Sequence, residues 1–62
     1  MSYKLFNETD GVYADPRTFS SMQTAYNAKV MFLERFERQG YYLTADGHRI
    51  EPEDVDLVIE EV

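Results

Sequence analysis

The chain has no cysteine and no tryptophan, and only one histidine, two prolines and three glycines in 62 residues. Without cysteine there is no disulfide staple and no thiolate zinc site. The lone His48 would have to serve as the base of any Ser-His-Asp arrangement, and no nucleophile is placed near it in sequence. An exposed or structural histidine is the expectation. A zinc site would have to complete one imidazole with carboxylates, an unusual ligand set. The acids Glu8, Asp10, Asp15 and Asp46 do not follow a calcium-loop spacing. The glycines Gly11, Gly40 and Gly47 fall at turns or a helix end, so no phosphate-cradling loop is present. No cofactor or metal is expected, and no catalytic residue is singled out. No apolar run approaches a membrane span and no signal peptide opens the chain. The expected location is the cytoplasm, with no membrane partner. The sequon Asn7-Glu8-Thr9 is then an accident of composition.

Basic residues are missing from one region altogether. Glu51 to Val62 holds six acids (Glu51, Glu53, Asp54, Asp56, Glu60, Glu61) and no base. The first fifty residues carry six acids and six bases, so the net charge of −6 lies entirely at the end. Such a distribution suits contact with a basic surface and opposes direct binding to a phosphate backbone.

What is present is globular. The chain is 44% hydrophobic and 15% aromatic, a content that disordered acidic tails lack. A domain this short buries about 60% of its unfolded surface, so its stability is expected to be small. Oligomerisation is the remaining common staple. A homodimer or attachment to a larger protein is therefore expected.

Residues 2–6 alternate Tyr3 and Leu5 against Lys4 and Phe6, and Val12-Tyr13-Ala14 returns after the turn cluster Asn7–Gly11. Asp15-Pro16 ends that strand. A helix is predicted over Ser20–Gln39. Ser20 and Gln23 have capping-box spacing, Gly40 suits the C-terminal cap, and Arg35 and Arg38 complement the dipole. Met22, Ala25, Tyr26, Phe32, Leu33 and Phe36 share one face. Lys29 lies within that stripe and must snorkel or meet an acid. Val30 and Met31 lie off it, as ordinary exposed residues or as a second contact surface.

Tyr41–Ile50 reads as a hairpin about Asp46-Gly47 as a two-residue loop. Leu43 then faces Ile50 on the apolar side, while Tyr42, Thr44, Arg49 and Glu51 share the other. Tyr41, Tyr42 and Arg49 could form a stacking platform for bases. The competing reading has Tyr41 in the core and Tyr42 covering the sheet. In the last segment Val55, Leu57 and Ile59 alternate as a strand, whereas Val55, Val58, Ile59 and Val62 fit a helix. The β-branched content and the terminal Glu60 and Glu61 favour the strand, led by a turn at Pro52-Glu53-Asp54.

The expected fold is one α+β domain over residues 1–62, in the order β-β-α-β-β-β, with one amphipathic helix on a small, mostly antiparallel sheet. The expected function is a non-enzymatic protein–protein interaction module with an acidic C-terminal strand. Its candidate partner-binding residues are Glu53, Asp54, Asp56, Glu60, Tyr42 and Met31. The alternative is an acidic mimic of nucleic acid that occupies a basic nucleic-acid-binding protein. A carboxylate hydrolase is a third reading. The bland reading of the acids is an edge strand whose charges block aggregation.

The stretch GYYLTADGHRIEPEDVDLVIEEV from Gly40, with FSSMQTAYNAKVMFLERF before it, resembles small uncharacterised proteins of cyanobacteria and their phages. The resemblance covers about two thirds of the chain. It implies a small bacterial or phage cytoplasmic protein and brings no activity, cofactor or site residue with it.

Overall fold

A computed structural model describes residues 1–62. The elements are β1 (Tyr3–Asn7), β2 (Val12–Tyr13), α1 (Met22–Gln39), β3 (Tyr42–Leu43), β4 (Arg49–Ile50) and β5 (Leu57–Glu61), with a 3-10 turn over Pro52–Asp54. The order is β-β-α-β-β-β, and the single helix packs on a small antiparallel sheet. The strands divide, however: β2-β1-β5 form one sheet, and β3-β4 form a separate two-stranded ladder. Two paired residues per strand are too few to carry β3 and β4 alone, so side chains anchor that hairpin to the rest.

Alternation along β1 sets the two faces of the sheet. Leu5, opposite Ile59, and Asn7, opposite Leu57, point toward α1. Lys4, opposite Glu60, and Phe6, opposite Val58, point away from it. The core is Leu5, Tyr42, Val55 and Leu57, closed over by Ala28, Phe32, Leu33 and Phe36 of α1. Val55 and Leu57 are buried and Ile59 packs against them, so the last segment is the strand its β-branched content favoured.

The other edge of β1 is completed in two pieces. Phe6 pairs with Tyr13 and Asn7 with Val12. After a break at Asp15–Thr18, Phe19 and Tyr3 exchange two backbone hydrogen bonds of 2.8 Å. The break is clamped by Asp15, whose carboxylate accepts from the Arg17 backbone N–H at 2.9 Å and from its guanidinium at 2.6 Å. These hydrogen bonds hold the Asp15 carboxyl down at about 2.

The helix starts one residue later than its spacing suggests. Ser21, not Ser20, is the N-cap, its Oγ accepting from the Thr24 N–H at 3.2 Å. The pairing of Phe19 with Tyr3 holds the chain in the sheet as far as residue 19, and it bends into the helix only after that. Gln23 bonds forward to Asn27 instead of reaching back in a capping box. At the other end Gly40 takes a φ of 93° and donates to the Phe36 carbonyl, as a C-terminal glycine does. The buried stripe runs through Ala25, Ala28, Phe32 and Phe36, and the alanines let α1 approach the sheet closely. Met22 and Tyr26, expected on this face, stand exposed at its margin. Lys29 is half-buried with no acid within ion-pair distance, so it snorkels.

The β3-β4 register corrects the sequence reading. Tyr42 faces Ile50 and Leu43 faces Arg49, and the loop has three residues, Ala45-Asp46-Gly47. Thr44 N–H donates to the His48 carbonyl at 2.8 Å, and Gly47 N–H donates to the Thr44 carbonyl at 3.0 Å. Either favoured two-residue hairpin turn needs a positive φ at its first loop residue, here Asp46. Only glycines in this chain adopt one, and Gly47 does so alone at 90°. One residue of slip exchanges the faces. Tyr42 is 5% exposed in the core, and Leu43 is 52% exposed.

Candidate protein-docking face

The sheet face turned away from α1 has no layer over it. Period-2 alternation delivers Lys4 and Phe6 from β1, Tyr13 from β2, and Val58 and Glu60 from β5. Phe6 and Tyr13 meet edge-on, with ring centroids 5.2 Å apart. The Lys4 ammonium lies 4.6 Å from the Tyr13 ring centroid. Tyr13 Oη donates to Glu60 Oε1 at 3.1 Å. That bond, and the carboxylate charge beside it, push the Tyr13 phenol up. The result is a small aromatic centre bounded by one cation and one acid.

Asp56 extends the register one position beyond β5, opposite Glu8. Glu8 N–H donates to the Asp56 carbonyl at 2.9 Å, and Asp56 N–H donates to Thr9 Oγ1 at 2.8 Å. These bonds use the Asp56 backbone and leave its side chain exposed beside Glu8. The ion pairs of the chain are Asp15–Arg17 and the His48–Asp46 contact, so none of the six C-terminal acids is neutralised internally.

The six expected partner-binding residues do not form one surface. Asp56 and Glu60 share the outer sheet face. Glu53 and Asp54 lie on the 3-10 turn, where buried Pro52 and Val55 anchor the chain and leave both acids outward. Met31 is on α1, 68% exposed, and takes no part in the sheet face. Tyr42 is withdrawn from any surface. Its ring packs on Phe36 at 4.8 Å and Phe32 at 6.5 Å between centroids, and its hydroxyl donates to Asp10. Its phenol is pushed up first by burial, then by the bond to Asp10. The chain order hid Phe6, Tyr13 and Glu8 as members of the outer face. Their signal was the alternation of β1 and its return strand, which marks a face without showing that nothing covers it.

The two-tyrosine stacking platform does not form. With Tyr42 inside, Tyr41 remains, and the Arg49 guanidinium covers its ring at 4.0 Å. His48 stands at the hairpin tip with its side chain 78% exposed, its Nδ1 3.7 Å from Asp46. The Thr44 hydroxyl, and then His48, hold the Asp46 carboxyl below its usual range. No three His, Asp or Glu side chains converge as a metal site requires. Asn7 of the sequon is buried, donating to Tyr42 Oη at 2.8 Å. No helix is long and apolar enough to cross a membrane. Comparison of the chain with family models, with curated proteins and with solved structures returned no significant match.

Proposed function

We propose that the protein is a cytoplasmic, non-enzymatic interaction module that docks on a basic protein surface through its outer sheet face. One observation carries this reading: the uncovered apolar centre of Phe6, Tyr13 and Val58 is bordered by three acids, Asp56, Glu60 and Glu8, against one base, Lys4, and none of the three acids has an ion-pair partner within the chain. Apolar contact supplies affinity, and the acids steer the partner and set its orientation. The absence of cysteine supports a reducing compartment, since secreted domains of this size commonly rely on disulfides.

Nucleic-acid mimicry is the second reading, favoured by the six unpaired acids in the last twelve residues. Their division between the 3-10 turn and the sheet face supports docking over a continuous phosphate-like row. A pull-down from the native host at two salt concentrations tests both. Docking predicts a partner retained in moderate salt, because the apolar centre persists when charges are screened. Replacing Asp56 and Glu60 by Asn and Gln should leave the fold intact and weaken capture, mainly by slower association. Mimicry predicts a nucleic-acid-binding partner that added DNA displaces. Unchanged capture by the folded double variant removes the acidic face from the mechanism.

A further inference from the structure

A second feature lies away from the docking face, between α1 and the Asp15–Thr18 break. A hollow of about 250 Å³ opens there. Its apolar lining comes from Ala14, Ala28, Met31 and Phe32, with the buried Leu5 beneath. It continues into a shallower hollow of about 430 Å³ that includes Thr24 and Asn27. The exposure of Met31, which the core does not explain, is accounted for if that side chain borders a ligand site.

The charges of this hollow run against those of the whole chain. Its charged residues are Asp15, Arg17 and Arg35. Asp15 and Arg17 pair at 2.6 Å and cancel. Arg35 has no ion pair, so the hollow carries one unmatched positive charge in a protein of net charge −6. An apolar floor beneath a free guanidinium is complementary to one ligand chemistry, an apolar body bearing a carboxylate.

We propose that this hollow binds a small organic acid, its carboxylate on Arg35 and its hydrocarbon portion over Ala14, Ala28 and Phe32. The guanidinium offers parallel N–H donors to a carboxylate, and Met31 adapts to the shape of the bound chain. None of the residues of the docking face contributes to this site, so the two proposals stand or fall separately.

The test is a titration of the 15N-labelled full chain with octanoate, with 1-octanol and octylammonium as matched probes. Octanoate should give saturable amide shifts at Ala14, Ala28, Met31 and Arg35. Octanol and octylammonium should bind at least about tenfold more weakly, the equivalent of losing one contact of ~1.4 kcal/mol. Arg35→Gln should weaken octanoate binding by a similar factor, and Arg35→Lys should retain more of it. Arg35 is exposed and its side chain makes no ion pair, so both variants should keep the native fold, with amide shifts confined to the neighbourhood of residue 35. Absence of saturable shifts, equal binding of octylammonium, or shifts centred on Phe6, Tyr13 and Val58 would overturn the proposal.

Discussion

Replacing Tyr42 by Phe removes one oxygen from the centre of the molecule and should cost about 2–4 kcal/mol. The hydroxyl donates to the Asp10 carboxylate and accepts from Asn7 Nδ2 at 2.8 Å. A hydrogen bond to a charged group contributes roughly 1.5–3 kcal/mol, and leaving the buried Asn7 donor unpaired costs roughly 1–3 kcal/mol, with overlap between the two. Asp10 also accepts from the Ala45 N–H at 2.9 Å, so the same carboxylate ties the β3-β4 loop to the β1-β2 loop. A chain of this length is expected to have about 3–9 kcal/mol of total stability, so the variant should lose a large share of it. In heat unfolding the shift should be about 10–30 °C, at roughly 4–8 °C per kcal/mol for a small domain. Urea unfolding followed by circular dichroism at neutral pH measures the change, with an unaltered slope if the folded state is otherwise the same. The pH dependence gives a second readout. The Tyr42 phenol is raised above its ordinary value of 10.0, so its contribution is complete below that value and is lost as pH rises through the folded value. The Phe variant should lack that part of the alkaline fall. A double-mutant cycle with Asp10→Asn should show coupling above ~0.5 kcal/mol. A change below ~0.5 kcal/mol, or strict additivity with Asp10→Asn, would refute the view that this hydroxyl locks the hairpin to the sheet.

Leu57 is 3% exposed in the core, so Leu57→Ala should cost roughly 2–5 kcal/mol, and denaturant titration should show a destabilised or unfolded chain. His48→Ala should change stability by no more than about 0.5 kcal/mol, because the bond from the His48 backbone N–H to Thr44 Oγ1 survives the substitution. A larger loss would give His48 a role its exposed position does not explain. Asp15 is lowered to about 2 by Arg17, so its contribution is present above the ordinary carboxylate range and is lost as pH falls from about 4 toward 2. Asp15→Asn should flatten that part of the acid-unfolding curve, and an unchanged acid limb would show that the clamp does not support the fold.

Features that depend on neighbours in the chain were legible in it. Gly40 closes α1 because a left-handed residue there satisfies the Phe36 carbonyl, a bond made within one turn. Leu57 and Ile59 point inward and Asp56 and Glu60 outward because a strand alternates with period 2. Element order and the α+β class follow from the same local periodicities. Contacts between distant segments decided the rest. Ser20 and Ser21 are equivalent as caps until Phe19 pairs with Tyr3 and fixes how far the extended chain runs. Asp46-Gly47 fits a two-residue loop until Phe32, Phe36, Asn7 and Asp10 claim Tyr42 and draw it inward, which selects the other register. The acids form one block along the chain, yet Glu53 and Asp54 leave on a turn while Asp56 and Glu60 join Phe6 and Tyr13 on an uncovered face. That face exists because β5 lies beside β1, fifty or more residues away in sequence, and adjacency at such separation is set by the packing of the whole core.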